Sequence, residues 1–196
     1  MRLFIAVDFV EAVRQAVGAV AARLRSHLDD GGPKSAAPLK WVDPAHLHLT
    51  LACLGEIAEE RLTGLTAALA PPLEVAPFEI VFGELGIFPP SGAPRVLWLG
   101  IGPGVAQLEQ MQHELQNRLR TRGFPIESRP FHTHLTLARW RDGFRAERPP
   151  LQGATGHLRV AGSRVDHATL YHSVLSSSGP TYTPLARVRL KAPADR

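Results

Sequence analysis

One tetrapeptide occurs twice in this chain, as His48-Leu49-Thr50-Leu51 and again as His134-Leu135-Thr136-Leu137. Each copy alternates polar and apolar residues, and this period of two is typical of a half-buried β-strand. We therefore predict two motif strands, near residues 46–54 and 131–138, that bury their leucines and present histidine and threonine on one face. Two such strands facing each other would place two imidazoles and two hydroxyls around one point, which suits acid–base chemistry on a small anionic group.

The hydrophobic periodicity of the remaining chain predicts an α+β fold with largely antiparallel sheets. Residues 2–8 form a first predicted strand, and Asp8 with Glu11 resembles a capping box. The helix that follows carries its apolar face from Val10 onward and ends near His27. Further predicted elements are strands at 39–42, 77–87, 95–101, 157–162, 166–175 and 184–190, and helices at 57–69 and 105–119.

The second half of the chain repeats the first half loosely, and the two motif strands are its corresponding elements. Loops are short and no linker is visible, so we predict a single domain over residues 1–196. A hydrophobic content of 44% with 20% charged residues is typical of a globular protein. The net charge of +4, carried mostly by arginine, is compatible with a nucleic-acid partner but does not require one.

Cysteine content and hydropathy limit the setting in which the chain works. Cys53 is the only cysteine, which excludes an internal disulfide, and we predict it to be a small buried side chain within a strand. No apolar run approaches the roughly 20 residues of a membrane span, and the opening residues predict a strand rather than a secretory signal. We therefore expect a cytoplasmic protein without a membrane partner.

The residues of the repeated motif fit a phosphodiester hydrolysis that needs no metal or other cofactor. Histidine titrates near neutral pH, so one copy can take a proton from water while the other gives a proton to the leaving oxygen. Threonine hydroxyls on the same face can donate hydrogen bonds to phosphate oxygens. Zinc binding by two His-x-His pairs remains an alternative, although neither motif strand contains an acidic ligand. Those pairs are His46 with His48 and His132 with His134.

Two further side chains are candidates for substrate contact. Arg139 directly follows the second motif and can meet a phosphate or stack on a base, unless it is a solvated arginine at the rim. Phe88 lies in a proline-rich loop after a long strand, where an aromatic ring can stack on a base or simply plug the loop.

Over nearly its whole length the sequence resembles the two-histidine (2H) phosphoesterases, and within them the bacterial and archaeal RNA 2′,3′-cyclic phosphodiesterases, once named 2′–5′ RNA ligases. The resemblance lies in the opening strand, in both motifs with their flanks, and in the last strands. The matching segments are Met1-Arg2-Leu3-Phe4-Ile5-Ala6-Val7, Lys40-Trp41-Val42-Asp43-Pro44, His46–Leu51, Leu54-Gly55-Glu56, Arg95–Gly100, Phe131–Arg139, Tyr171–Leu175 and Gly179–Tyr182.

The resemblance implies a two-lobed, pseudo-twofold α+β fold in which antiparallel sheets line a central groove with helices outside. It implies metal-independent hydrolysis of RNA 2′,3′-cyclic phosphate ends to 2′-phosphates. In that scheme His48 is the general acid and His134 the general base, although the pseudo-symmetry leaves this assignment reversible. Thr50 and Thr136 would hold the phosphate, with Arg139 and Phe88 as candidate contacts to the RNA or its base. The reverse reaction, 2′–5′ ligation of RNA ends, would use the same groups.

Two residues depart from the family pattern. Thr133 stands where a proline usually precedes the second motif histidine, and His172 stands where an acidic residue is common. Two other hypotheses fit the same four motif residues. The protein is a 2H enzyme for another cyclic or 2′–5′ nucleotide, or it is a non-catalytic module that binds RNA ends. We expect a monomer whose partner is RNA with a cyclic phosphate end, with tRNA fragments as one candidate.

Overall fold

The computed structural model describes residues 1–30, 39–128, 130–141, 148–149, 151, 160–177 and 179–191. Short 3₁₀ turns at Pro44–His46 and Glu59–Arg61 precede the third strand and the second helix. The strands are β1 (Arg2–Asp8), β2 (Leu39–Trp41), β3 (His48–Glu56), β4 (Phe78–Phe88), β5 (Val96–Ile101), β6 (His134–Trp140), β7 (Val160–Val165), β8 (His167–Ser176) and β9 (Gly179–Arg189). The helices are α1 (Glu11–Asp30), α2 (Leu62–Leu69) and α3 (Val105–Thr121).

These strands form two antiparallel sheets, which confirms the predicted α+β class. The first sheet has the order β3-β1-β8-β9, and the second has the order β2-β6-β5-β4-β7. The two motif strands, β3 and β6, contact each other across the groove between the sheets. Each motif histidine is the first residue of its strand.

The two sheets repeat the same strand register around the motifs. β1 pairs with β3 as β5 pairs with β6, and β8 and β4 are the next strands on the far side. The pseudo-twofold relation is therefore visible residue by residue. The matching cross-strand pairs are Asp8–His48 and Gly100–His134, Val7–Leu49 and Leu99–Leu135, and Ala6–Thr50 and Trp98–Thr136.

Both motif strands contain a β-bulge at the same place, directly after the threonine. In the strand register, Leu51 of β3 and Leu137 of β6 are the extra residues that are not matched to a residue of the neighbouring strand. A bulge inserts one residue and reverses the facing of those beyond it. The burial patterns of the two strands are consequently identical over seven residues: two buried positions follow the threonine, and the next residue is exposed. Those exposed residues are Cys53 and Arg139, and the prediction of a buried Cys53 is wrong.

The helices join the two sheets by packing across the molecule. α1 follows β1 of the first sheet but contacts β7 of the second, whereas α3 follows β5 of the second and contacts β3 of the first. Both bury an apolar stripe at spacings of three and four, including Val17 and Leu24 in α1 and Leu108 and Leu115 in α3. Among the described residues, no helix combines the length and apolar character that crossing a membrane requires.

Several element boundaries differ from the sequence predictions. α1 extends to Asp30, beyond the predicted end at His27. Val10 precedes the helix and is 68% exposed, so it is not part of the apolar face. The Asp8 side chain bonds to β8 rather than capping the helix. The last helix prediction, 105–119, is confirmed within two residues, and residues 157–159 of one predicted strand lie outside the described part of the chain.

Candidate active site

Both motif histidines are held by the same backbone hydrogen bond. His48 Nδ1 lies 2.8 Å from the carbonyl oxygen of His46, and His134 Nδ1 lies 2.6 Å from that of His132. A carbonyl oxygen only accepts, so Nδ1 carries the proton and donates in each ring. This fixes the tautomer and leaves Nε2 of both imidazoles free of that bond for proton transfer.

The position of His46 and His132 differs from the sequence prediction. His46 lies in the 3₁₀ turn and His132 precedes β6, so neither shares a strand with its motif histidine. Each contributes a carbonyl oxygen that orients the next histidine. The described residues contain no cluster of three His, Cys, Asp or Glu side chains that could hold a metal ion.

Aromatic rings of the first sheet surround His48. The ring of Tyr182 meets the imidazole edge-to-face at 5.3 Å, and the ring of Phe4 is tilted against it at 4.9 Å. Tyr171 in turn stacks on Phe4, with 5.3 Å between ring centroids. The sequence placed Tyr171 and Tyr182 in the last strands and favoured a structural role for them over a role in lining the cleft. Only the pairing of β1 with β8, and of β8 with β9, brings them to the motif.

Phe88 and Trp98 form the corresponding wall beside His134. Phe88 meets His134 edge-to-face at 5.2 Å and stacks on Trp98 at 5.0 Å. It is the last residue of β4 rather than part of the loop that the sequence predicted. The indole of Trp98 lies over Gly86, its partner on β4, where an added Cβ would come within 2.0 Å of the ring. A glycine is therefore required for this wall to form.

The threonines and Arg139 complete the set that the sequence predicted, and the structure brings all of them to the groove. Thr50 and Thr136 are half-buried, and among the described residues neither hydroxyl has a protein hydrogen-bond partner. Arg139 would face away from His134 in a regular strand, but the bulge at Leu137 returns it to the groove face. From there its positive charge lowers the pKa of both His48 and His134.

Burial lowers the pKa of both motif histidines below the ordinary value of 6.5. The carbonyls of His46 and His132 oppose this effect by accepting from the rings, and the positive charge of Arg139 reinforces it. The carboxylate of Asp8 also opposes the lowering at His48, because its negative charge raises the pKa of that imidazole. No described carboxylate has this effect on His134. Asp8 is thus a site residue that sequence analysis assigned to a helix cap.

Of the two departures from the family pattern, only Thr133 adjoins a motif histidine. The Thr133 hydroxyl is buried and, within the described residues, has no hydrogen-bond partner, directly before the first residue of β6. His172 is half-buried on β8 opposite Leu3 and Thr183, so it faces the other side of the strand from its neighbour Tyr171.

Two antiparallel sheets that present paired His-x-Thr strands to a shared groove define the class of two-histidine phosphoesterases. A model of the 2'-5' RNA ligase superfamily matches residues 15–175. The chain is also 33% identical over 172 residues to a protein of Aeropyrum pernix named RNA 2',3'-cyclic phosphodiesterase, and the match covers 86% of this chain and 93% of that protein. The chain belongs to the 2'-5' RNA ligase superfamily.

Solved structures agree with this assignment. TT0787 of Thermus thermophilus matches with a TM-score of 0.74 and 30% identity, over 98% of this chain and 99% of that one. LigT of E. coli in complex with 3'-AMP matches with a TM-score of 0.69 and 28% identity, over 96% of this chain and 97% of that one.

Proposed function

We propose that this protein hydrolyses 2′,3′-cyclic phosphate ends of RNA to 2′-phosphates, without a metal ion. The observation that carries the proposal is the matched pair of imidazoles. Each has its Nδ1 proton committed to a carbonyl, and each has a threonine two residues further along the same strand face. Two oriented nitrogen bases beside two hydroxyl donors are what an in-line displacement at phosphorus requires.

His134 acts as the general base and His48 as the general acid in this scheme. Nε2 of His134 takes a proton from the attacking water, and the new P–O bond forms opposite the 3′-oxygen. The P–O3′ bond breaks, and His48 Nε2 gives its proton to the departing 3′-oxygen. The products are a 2′-phosphate and a free 3′-hydroxyl, and each proton transfer accelerates the reaction by roughly 10²–10⁴-fold.

The remaining predicted site residues bind the substrate. Thr50 and Thr136 donate their hydroxyl protons to the non-bridging phosphate oxygens, which carry the charge that develops in the transition state. Arg139 contributes a positive charge between the two histidines and contacts the phosphate. Phe88, at the edge of the groove beside His134, offers its ring to a base of the RNA end. A 5′-hydroxyl that attacks phosphorus in place of water forms a 2′–5′ phosphodiester as the P–O3′ bond breaks, with the same groups moving the protons.

The experiment is turnover of a short RNA ending in a 2′,3′-cyclic phosphate, with EDTA present, and separation of 2′- from 3′-phosphate products. We expect complete conversion to the 2′-phosphate. A 3′-phosphate product would contradict the assigned leaving oxygen, and loss of turnover on addition of EDTA would favour a metal hydrolase. Tight binding of this RNA without turnover would indicate a module that binds RNA ends.

A further inference from the structure

The two half-sites match in strand register but differ at the residue opposite the histidine. Asp8 on β1 is directly opposite His48, and Gly100 on β5 is directly opposite His134. Directly opposed residues of antiparallel strands place their side chains on the same face, with Cβ atoms about 5 Å apart. One histidine therefore has a carboxylate as its cross-strand neighbour, whereas the other has no side chain at that position.

The Asp8 carboxylate is fixed on the groove face by two hydroxyl groups of β8. Thr169 Oγ1 donates to Oδ2 at 2.5 Å, and the hydroxyl of Tyr171 donates to Oδ1 at 2.5 Å. Thr169 is only 2% exposed, so its bond is shielded from water. These two bonds hold the carboxylate in one orientation, and burial together with the neighbouring Asp8 carboxylate raises the pKa of Tyr171.

The corresponding space in the second half-site is filled by an indole. Gly86 and Gly100 occupy the positions that match Thr169 and Asp8. An added Cβ would lie 2.0 Å from the Trp98 ring at Gly86, and 3.2 Å from both this ring and the Glu84 carbonyl oxygen at Gly100. There is no room for a carboxylate at this place, and His134 instead has the Trp98 ring at 6.4 Å.

The charged and titratable groups that face the two histidines differ accordingly. His48 is faced by Asp8 from β1, Arg139 from β6, His46 from the preceding turn and the Tyr182 ring from β9. His134 is faced by Arg139 and His132, together with the Phe88 and Trp98 rings.

Asp8 itself is faced by the two hydroxyls of β8 and by His167, whose Nε2 lies 3.9 Å from the Asp8 Oδ2 atom. Arg14 of α1 lies near Tyr171.

We propose that Asp8 is a positioning residue that makes the two matched histidines inequivalent, because its anchored carboxylate stabilises the imidazolium form of His48 alone. Asp8 does not touch the substrate; it acts through His48. Given the proposed function, this asymmetry assigns the general acid to His48 and the general base to His134, although the motifs themselves are identical.

The test is a pH titration of the histidine ring signals by NMR in the free protein, for the wild type, Asp8→Asn and the matched control Asp166→Asn. Asparagine keeps the shape of Asp8 and removes its charge, whereas Asp166 is exposed and bonds to His167 rather than facing His48. His48→Gln and His134→Gln assign the two ring signals. Asp8→Ser is a second neutral variant if the asparagine variant does not fold.

We expect Asp8→Asn to lower the pKa of His48 by about 0.5 or more, with a much smaller change at His134 and none in the control. An unchanged His48, or an equal change at both histidines, would overturn the proposal. The titration needs no substrate, so it tests the role of Asp8 independently of the proposed RNA activity.

Activity measured against pH then tests the assigned role. If His48 is the acid, Asp8→Asn moves the alkaline limb of the profile to lower pH and leaves the acid limb in place. A shift of the acid limb instead would assign His48 as the base and overturn that part of the proposal.

Discussion

At the scale of residues, the chemistry depends on backbone groups that the motif does not contain. The carbonyl oxygens of His46 and His132 fix which ring nitrogen carries the proton, and they come from segments outside the two motif strands. A pattern search finds histidine and threonine because they alternate within one strand. It cannot find Asp8 or Tyr182, because these reach the site through pairing between strands that are distant in sequence.

The lowered pKa of both histidines predicts the pH dependence of the reaction. His48, the proposed acid, must be protonated, so activity is expected to decline as the pH rises through its pKa, which burial lowers below 6.5 in the free protein. His134, the proposed base, must be neutral, and its lowered pKa moves the acid limb of the profile to lower pH as well. We therefore expect kcat/KM, which reports on the free enzyme, to be highest on the acid side of pH 6.5.

The kcat profile gives the internal check on this prediction. The negative charge of bound substrate stabilises the imidazolium form of His48, so the alkaline limb of kcat should lie at higher pH than that of kcat/KM. A kcat/KM that stays constant through neutral pH and into the alkaline range would contradict the assignment.

The hydroxyls of Thr50 and Thr136, which bond to no other described residue, predict a loss of activity without a loss of stability on their removal. Thr50→Val and Thr136→Val keep the side-chain shape and remove the donors, so we expect each to lower kcat/KM by about 10²-fold. Thr183→Val, at an exposed position on β9, is the control and should retain wild-type kinetics. Steady-state kinetics measures the loss of activity, and thermal unfolding measures any loss of stability. Wild-type turnover by both motif variants would exclude phosphate binding by these hydroxyls.

At the scale of elements, the motif strands were predictable but their bulges were not. Alternation of polar and apolar residues predicted buried leucines, and Leu49 and Leu135 are both fully buried. A bulge depends on how the neighbouring strand pairs, which local periodicity does not contain. This is why the sequence misplaced Cys53 as buried and left the facing of Arg139 open. The capping-box prediction failed for a related reason, since Asp8 finds partners on β8 instead.

The close contact between β4 and β5 predicts a specific sensitivity at Gly86. Gly86→Ala would place a methyl group 2.0 Å from the Trp98 indole, so the ring must move away from its place beside Phe88 and His134. We expect the free energy of unfolding to fall by about 1–3 kcal/mol and activity to fall with it. Gly83→Ala on the same strand meets no atom within 4 Å and is the matched control.

Chemical denaturation of both glycine variants measures this difference. Equal stability of Gly86→Ala and Gly83→Ala would show that the indole is free to move and that the wall beside His134 is not fixed by Gly86.

At the scale of the whole molecule, the helices connect the halves that the internal repeat suggests. α1 and α3 each pack on the sheet of the opposite half, and the buried residues of both sheets form one hydrophobic cluster. The α+β class and the correspondence of the motif strands followed from periodicity. The crossed packing of the helices did not, because it depends on which faces meet in three dimensions. The single domain over residues 1–196 and the monomeric state remain predictions.

The aromatic residues allow the single-domain prediction to be tested directly. The three tryptophans lie in the five-stranded sheet, at Trp41, Trp98 and Trp140, and the two tyrosines lie in the four-stranded sheet, at Tyr171 and Tyr182. We expect tryptophan emission and tyrosine absorbance to report the same unfolding midpoint in denaturant, because crossed helices couple the sheets. Two separate midpoints would mean that the lobes unfold as independent units.

In the proposed mechanism, two histidines from opposite halves of the molecule act together on one phosphate. The most direct measurement is the rate of cleavage of an RNA 2′,3′-cyclic phosphate end by the wild type, His48→Ala and His134→Ala, with His113→Ala on α3 as a control. Loss of one proton transfer predicts a fall of roughly 10²–10⁴-fold in each motif variant and wild-type turnover in the control. Near-wild-type cleavage by either motif variant would contradict the two-histidine mechanism.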